Sequence, residues 1–358
     1  MKQKFDLNTV FNQFNLDSKI SEYGDGHIND TYISDTKNYI LQRINTSIFK
    51  NPEELMQNIE NVTEFLRKKI AASGGNPDRE TLTVIKTLED KNFYKLDDEN
   101  YFRVYKFITD TKSINNAEKA EDLYHAGKGF GRFQSNLDDF PADTLFETIQ
   151  DFHNTPKRLE ALKQAVKDDI AGRAKSVMPE IEFALSVKDI DLVTKGLADG
   201  SIPLRVTHND TKINNILFDH ITGEAVCVID LDTVMPGSML YDFGDALRIG
   251  ASTAAEDETD MSRIHFNEEY FEQFTKGYFE EMLPCLTQSE IALLPYSAKL
   301  LTYECGIRFL TDYLNGDTYF KIHRKHHNLD RARNQFELVR DIDRKADVLN
   351  KIVEKYSR

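Results

Sequence analysis

Residues 207–219 read THNDTKINNILFD and decide the fold of this chain, together with the stretch CVIDLD at residues 227–232. Asn215 follows Asp210 by five residues, and Asp230 ends an apolar run of the second stretch. Aspartate and asparagine also favour turns for their own hydrogen-bonding reasons, so this spacing alone is weak. The surrounding pattern narrows the interpretation, because strands are predicted on both sides of the loop. These strands lie at residues 202–206, 216–218 and 225–229.

Two carboxylates and one carboxamide in this arrangement suit phosphoryl transfer. A protein contributes mainly positioning and charge neutralisation to that reaction. One carboxylate would orient the acceptor hydroxyl or accept its proton. The carboxamide and the other carboxylate would hold Mg²⁺ against the phosphates of ATP, because magnesium prefers hard oxygen ligands. His-x-Asp followed by Asn after five residues is also the spacing of a protein-kinase catalytic loop.

The composition is that of an ordinary globular protein, with 40% hydrophobic and 29% charged residues. A chain of 358 residues is long enough for two lobes with separate cores. No apolar run approaches the roughly 20 residues that cross a bilayer, and the first residues lack the apolar core of a secretory signal. The three cysteines are scattered without a Cys-x-x-Cys pair. We therefore expect a cytoplasmic protein without a membrane partner.

The net charge of −15 argues against a nucleic-acid partner, which requires a basic surface. The charge is compatible with a cationic substrate. An acidic balance more commonly only maintains solubility, so it does not identify a substrate.

The chain changes from strand-rich to helix-rich near residues 109–113. Helices are predicted at residues 7–15 and 51–70. Strands are predicted at residues 22–34, 38–44, 81–88, 93–96 and 101–107. We predict an α+β, protein-kinase-like bilobal fold with a small antiparallel-sheet N-lobe of about five strands (1–108) and a larger, mainly helical C-lobe (109–358).

Four residues are predicted to bind the nucleotide. Gly24 and Gly26 lie where such a fold places a phosphate-covering hairpin, although Gly-x-Gly is also common in plain turns. Gln42 lies on the strand where a protein kinase carries its phosphate-binding lysine, and no lysine is present there. Lys106 lies near the end of the strand predicted at residues 101–107. The sequence leaves open which group replaces the missing lysine.

Three more side chains are candidates near the predicted site. Asp232 could assist a second metal ion or face solvent, and solvent is favoured. Asp242 is predicted to cap a helix and to brace the catalytic loop. Arg308 lies in a helix predicted over residues 303–320, where a surface ion pair with Asp312 is the ordinary interpretation.

Taken together, these stretches resemble the aminoglycoside phosphotransferase/choline kinase superfamily. The resemblance within it is closest to the N-acetylhexosamine 1-kinases, and it spans nearly the whole chain. The matching stretches are residues 26–32, 41–45, 148–149, 152–155, 208–215, 228–237, 241–245, 308–313, 316–320 and 327–331. Since the relatives share the Gln42 position, the absence of the lysine is a family trait.

The resemblance implies a kinase that uses ATP and Mg²⁺ to phosphorylate the anomeric hydroxyl of N-acetylglucosamine or N-acetylgalactosamine. It implies that Asp210 is the catalytic base and that Asn215 and Asp230 are the metal ligands. The sugar substrate would be bound by His27, Asp30, Asp210, Arg308 and Tyr319. A buried polar set of this kind discriminates against analogues that lack a hydroxyl.

Two alternatives remain open. The same chemistry could act on an aminoglycoside, choline or an amino alcohol, which the acidic balance permits and Arg308 opposes. The other alternative is a catalytically silent binding module on a kinase scaffold. The missing lysine motivates it, and the presence of Asp210, Asn215 and Asp230 argues against it. The sequence determines neither the preferred epimer nor the oligomeric state.

Overall fold

The computed structural model describes residues 6–24 and 28–358. The strands, in chain order, are β1 (Ile20–Glu22), β2 (Asp30–Ser34), β3 (Tyr39–Asn45), β4 (Val84–Ile85), β5 (Tyr94–Asp97), β6 (Asn100–Lys106), β7 (Thr111–Lys112), β8 (Arg205–Thr207), β9 (Ile216–Asp219), β10 (Ala225–Val228) and β11 (Met235–Gly237). The helices are α1 (Leu7–Asn12), α2 (Pro52–Ala72), α3 (Pro77–Glu80), α4 (Ala120–Asn136), α5 (Thr155–Asp168), α6 (Met178–Ser186), α7 (Leu192–Asp199), α8 (Met239–Gly250), α9 (Glu268–Met282), α10 (Gln288–Leu314) and α11 (His327–Tyr356).

The chain folds into two compact units. The first unit comprises Met1–Ser113, Asn136–Gln150 and Asn215–Pro236, and the second comprises Ile114–Ser135, Asp151–Asn214 and Gly237–Arg358. The predicted lobe boundary after residue 108 stays a prediction. The β9–β10 hairpin, although distant in sequence, belongs to the first unit, where β9 pairs with β7.

The first unit contains an antiparallel sheet in the order β1-β2-β3-β6-β4, with β5 also paired to β6. Within the described residues this sheet therefore has six strands, where about five were predicted. Leu41 and Val104 are cross-strand partners and lie in a hydrophobic core with Phe11 of α1. Because successive strand residues point to opposite faces, the paired Gln42 and Arg103 share the other face of the sheet.

Helix α2 follows from its local sequence. The Asn51 side chain accepts from the Glu54 N–H, and Pro52 occupies the first turn, where its missing N–H costs no hydrogen bond. The helix has an apolar face at helical spacing, formed by Leu55, Ile59, Val62 and Leu66, and all four are buried as predicted.

The second unit is mainly helical, and a hydrophobic core lies where α10 meets α5, α6 and α11. Helix α10 ends at Leu314, so the helix predicted to residue 320 is wrong in its last six residues. Asp312 accepts the backbone N–H groups of residues 318–320, which fixes the chain in a turn instead. None of the helices within the described ranges has the length and apolarity to cross a membrane.

Candidate active site

The first unit holds a pocket of about 290 Å³. Its lining residues are Tyr23, Thr31, Ile40, Gln42, Leu82, Arg103, Tyr105, Lys106, Phe107, Ile108, Thr111, Lys112, Ser113, Asn215, Leu217, Ile229 and Asp230. Apolar side chains such as Ile40, Leu217 and Ile229 share the wall with polar and charged ones such as Thr31, Lys112 and Asn215. Apolar walls combined with hydrogen-bonding groups are usual in a small-molecule site.

The two predicted magnesium ligands, Asn215 and Asp230, both line this pocket. The Ile229 N–H donates to the Asn215 carbonyl oxygen over 2.9 Å, so the residue before Asp230 is held beside Asn215. Asp230 has φ 60° and ψ 57°, a left-handed conformation that aspartate tolerates better than most residues. The carboxamide and the carboxylate are hard oxygen donors, and this donor set fits Mg²⁺ carried by a nucleotide.

Gln42 occupies the predicted place of the missing lysine, but it contacts a cation from the neighbouring strand. Its Oε1 accepts from Arg103 Nε at 3.1 Å and from Arg103 Nη2 at 2.9 Å, while its Nε2 donates to Thr31 Oγ1. Arg103 Nη1 lies 2.5 Å from Asp232 Oδ1, and the two side chains are only 1% and 4% exposed. Burial alone would lower the pKa of Arg103, yet the Asp232 carboxylate raises it above its usual value.

The expectation that Asp232 faces solvent is wrong. Its carboxylate is buried, where it also accepts from Asn29 Nδ2 at 2.6 Å. Reasoning from sequence missed Arg103 as well. The signal was the alternation of β6, which places Arg103 on the same face as Gln42.

The remaining nucleotide candidates contribute unequally. Gly24 has φ 71° in an exposed bend, a conformation that favours glycine, and its neighbour Tyr23 lines the pocket. Lys106 lines the pocket and also bonds Asp78 Oδ2 through Nζ at 2.9 Å. Gly26 lies outside the described residues.

Two of the predicted sugar-binding residues belong to the first unit. Asp30 Oδ2 accepts from Arg43 Nε at 2.8 Å and lies 2.7 Å from Arg43 Nη2. The Asp30 carboxylate is therefore engaged in a half-exposed ion pair. His27 lies outside the described residues.

In the second unit, Asp242 braces the loop that carries Asp210. Asp242 Oδ2 accepts the His208 N–H at 2.8 Å, and Oδ1 accepts the Asn209 N–H at 2.7 Å. Gln134 Nε2 adds a third donor at 2.6 Å. Burial raises the pKa of Asp242, and these hydrogen bonds oppose that rise. The predicted bracing role is confirmed.

The predicted capping role of Asp242 is wrong. Asp242 lies inside the first turn of α8, and Ser238 is the N-cap residue, with its side chain accepting from the Leu240 N–H. A side chain at Gly244 would meet the Ser297 carbonyl oxygen at 2.3 Å. Gly244 is therefore explained by the close packing of α8 against α10.

Asp210 is partly exposed and forms an ion pair with Lys212, whose Nζ lies 2.7 Å from Asp210 Oδ1. Burial lowers the pKa of Lys212, but Asp210 outweighs that effect and the pKa is raised. The preceding His208 is fully buried and packs edge-on against the rings of Phe130 and Phe133 from α4. The structure thus brings Asn215 and Asp230 together in the first unit and describes Asp210 with the second.

Arg308 lies in a cluster of aromatic and charged side chains in the second unit. Its guanidinium lies 5.8 Å from the ring centre of Phe152 and 5.5 Å from that of Phe320. The expected ion pair with Asp312 is wrong, because the Asp312 carboxylate accepts from backbone N–H groups and from Asn328. Tyr319, predicted to line the sugar site, is 71% exposed.

Sequence reasoning assigned no role to two basic side chains beside Arg308. The Arg158 Nε and the His153 Nε2 are buried and have no hydrogen-bond partner among the described residues. Burial and the like charge of Arg308 lower the pKa of Arg158. Each of these two side chains therefore has one buried polar atom whose hydrogen-bonding capacity is unused within the described part of the chain.

The buried carboxylate of this cluster is Glu304. It accepts from Thr155 Oγ1 at 2.6 Å and lies 2.8 Å from His153 Nδ1. Burial would raise the pKa of Glu304, but His153 and Arg308 hold it below its usual value. The motif at residues 152–155, which contributes to the family resemblance, could have pointed to His153 and Thr155 as partners of a buried carboxylate.

The profile of the phosphotransferase enzyme family matches residues 19–283. Among solved structures, an aminoglycoside phosphotransferase from Alicyclobacillus acidocaldarius subsp. acidocaldarius is similar at 11% identity, with 99% of this chain and 98% of that chain covered and a TM-score of 0.62.

Two further structures are similar at comparable identity. A microcompartment-associated aminopropanol kinase matches at 13% identity, with 96% and 98% of the two chains covered and a TM-score of 0.61. A choline/ethanolamine kinase family protein from Mesorhizobium loti matches at 15% identity, with 95% and 92% covered and a TM-score of 0.52. Identities this low establish a shared fold only.

The predicted fold class is confirmed: an N-terminal antiparallel sheet is followed by a mainly helical region in an α+β, kinase-like fold. The predicted resemblance to the aminoglycoside phosphotransferase/choline kinase superfamily is confirmed at that level. Because the matching profile covers well over half of its length, the chain belongs to the phosphotransferase enzyme family.

Proposed function

We propose that this phosphotransferase uses ATP and Mg²⁺ to phosphorylate the anomeric hydroxyl of an N-acetylhexosamine. The observation that supports the nucleotide half is the pocket in which Asn215 and Asp230 meet aliphatic walls. The N-acetylhexosamine rests on the motifs at residues 26–32, 152–155 and 308–320, and on the basic cluster around Arg308. The comparisons establish the superfamily and not this finer resemblance.

In this proposal Asp210 is the catalytic base. Its carboxylate would accept the proton of the attacking hydroxyl, while Asp242 fixes the loop through the N–H groups of His208 and Asn209. Lys212 would orient this carboxylate, because its Nζ lies 2.7 Å from Asp210 Oδ1. Asn215 and Asp230 would hold Mg²⁺, which supplies charge neutralisation at the ATP phosphates.

The charge of the cluster formed by Arg308, Arg158, His153 and Glu304 favours an uncharged substrate. Arg308 and Arg158 are close enough for like-charge repulsion to lower the pKa of Arg158. A third cation in this cluster would add to that repulsion. Hydroxyl and acetamide oxygens of a sugar instead accept hydrogen bonds from guanidinium groups, and a sugar hydroxyl can donate to the Nε2 of an imidazole whose Nδ1–H faces Glu304. The unpartnered Arg158 Nε and His153 Nε2 suit such an acceptor.

An amine-bearing acceptor is the second candidate. The names of the similar structures, an aminoglycoside phosphotransferase, an aminopropanol kinase and a choline/ethanolamine kinase family protein, favour it over a sugar. The buried Glu304 carboxylate and the net charge of −15 are compatible with it.

A substrate panel separates the two candidates. ADP release is measured with N-acetylglucosamine, N-acetylgalactosamine, aminopropanol, choline and two aminoglycosides, and the product is identified by phosphorus NMR. We expect turnover with the N-acetylhexosamines and an anomeric phosphate as product. Turnover confined to the amines would sink the sugar proposal and leave the phosphotransferase conclusion intact.

The role of Asp210 is tested by Asp210→Asn. We expect kcat to fall by a factor of about 10² to 10⁴, because the carboxamide cannot accept the hydroxyl proton. The thermal unfolding midpoint should change little, since Asp210 is partly exposed. Asp199→Asn, an exposed aspartate of the same unit, is the matched control. A kcat of Asp210→Asn within twofold of the control would remove Asp210 from the mechanism.

A further inference from the structure

Arg103 and Asp232 form an ion pair in the interior of the first unit, with side chains 1% and 4% exposed. Burying two charges is costly, and well-packed apolar residues often match or exceed the stability of such a pair. Stability alone therefore does not explain why this pair is built here. Its position beside the nucleotide pocket suggests another purpose.

Both ends of the pair are anchored to the sheet. Gln42 accepts two hydrogen bonds from Arg103, and Gln42 itself donates to Thr31 on β2. On the other side Asn29 donates to Asp232 and accepts from the Asn45 N–H at 3.0 Å. The ion pair is thus held at a fixed place relative to β2 and β3.

Asp232 follows Asp230 by two residues, within the 3₁₀ helix Leu231–Thr233. Leu231, the residue that joins them, is fully buried. Asp230 holds a left-handed backbone conformation, which persists only where the surroundings determine it. Holding the Asp232 carboxylate therefore restricts the direction in which the Asp230 side chain can point.

Arg103 also supplies positive charge where the lysine is absent. It lines the same pocket as Gln42 and Asp230, and the Asp230 carboxylate interacts with it electrostatically. The adjacent Tyr105 hydroxyl is buried and has no hydrogen-bond partner among the described residues. This end of the pocket thus combines a fixed cation with an unused polar group.

We propose that Arg103 is a positioning residue of the nucleotide–metal site: by holding Asp232 it fixes the turn that carries Asp230, and it supplies positive charge near Gln42, where no lysine is present. The proposal rests on the proposed use of a magnesium nucleotide. It does not depend on the identity of the acceptor.

The test uses the full chain and measures Mn²⁺ binding in the presence of ADP by electron paramagnetic resonance. Arg103→Met, Asp232→Asn and the double variant are compared with wild type, together with the free energy of unfolding in urea. We expect each single variant to weaken Mn²⁺ binding about 10- to 100-fold, the usual effect of removing a partner behind a metal ligand. Both single variants should also lose stability, because one buried charge is left unpaired.

The double variant separates positioning from stability. It contains no unpaired buried charge, so its free energy of unfolding should recover relative to both single variants. Mn²⁺ binding with ADP should stay at least about tenfold weaker than in wild type. Mn²⁺ binding by the double variant within twofold of wild type would overturn the proposal. This measurement remains decisive even if a single variant fails to fold.

Arg205 and Glu290 provide a matched control in the second unit, with Nε–Oε1 at 2.6 Å and side chains 10% and 0% exposed. Arg205→Met should lower stability while Mn²⁺ binding with ADP is retained. A wild-type protein that binds no Mn²⁺ with ADP would overturn both this proposal and the proposed nucleotide. Normal binding without phosphorylation of any sugar would reject only the proposed acceptor.

Discussion

Asp232 and Asp242 are both buried and lie ten residues apart, yet they are stabilised in different ways. Asp232 is balanced by the guanidinium of Arg103 and by one amide donor. Asp242 is surrounded by two backbone N–H groups and the Gln134 amide. The first carboxylate therefore connects a sheet to the turn after Ile229, and the second fixes the backbone of the loop that carries Asp210.

The largest loss of stability is expected from Asp232→Ala. This change leaves the Arg103 guanidinium buried without its counter-charge, which typically costs about 3–5 kcal/mol. The free energy of unfolding in urea measures the loss. A cost below about 1 kcal/mol, the net value of one ordinary hydrogen bond, would show that the pair is not important for the fold.

A comparable loss of stability, together with a larger catalytic effect, is expected from Asp242→Ala. The change leaves the N–H groups of His208 and Asn209 without their acceptor, at about 1–3 kcal/mol for each buried group that stays unsatisfied. Hydrogen exchange at residues 208 and 209 should accelerate, and kcat should fall at least about tenfold because Asp210 follows directly. Unchanged exchange at these two amides would contradict the bracing role.

The cluster around Arg308 and Glu304 can be examined through the pH dependence of stability. The folded-state pKa of Glu304 is below its ordinary value of 4.5, so its stabilising contribution is present above pH 4.5 and is lost as pH falls through the lowered value. Glu304→Gln removes this titration. Its free energy of unfolding should therefore fall less steeply than that of wild type on acidification. If the free energy of unfolding falls equally steeply below pH 4.5 in both proteins, the lowered pKa of Glu304 is contradicted.

The smallest effect is expected at Asp219, in the turn of the β9–β10 hairpin. The N–H groups of Thr222 and Ile221 lower the pKa of Asp219 to about 2, with a further contribution from Arg79. The stability it contributes is present above its ordinary pKa of 3.8 and is lost as pH falls towards 2. In Asp219→Asn, the free energy of unfolding should depend less on pH than in wild type, and only between about pH 3.8 and pH 2. A difference that persists unchanged at pH 2 would require another explanation.

The two units also differ in how much could be predicted from sequence. Helix α2 and the β9–β10 hairpin follow from local signals, namely a cap, a period of 3.6 or 2, and turn residues. The motif spacing predicted Asn215 and Asp230, and the structure places both at one pocket. The end of α10 was misjudged, because the hydrogen bonds from residues 318–320 to Asp312 are not visible in the apolar pattern.

The linear sequence determined the side chains available for chemistry, since the spacing of Asp210, Asn215 and Asp230 is a property of one short segment. Only the tertiary structure decided which side chains hold these residues and their neighbours in place. Asn29 and Asp232 meet across 203 residues of chain, and Gln42 and Arg103 across 61. Periodicity shows which face of an element is buried, but the partner of a buried polar group depends on which elements pack together. For that reason Arg103, rather than a lysine on β3, is the buried cation of the pocket.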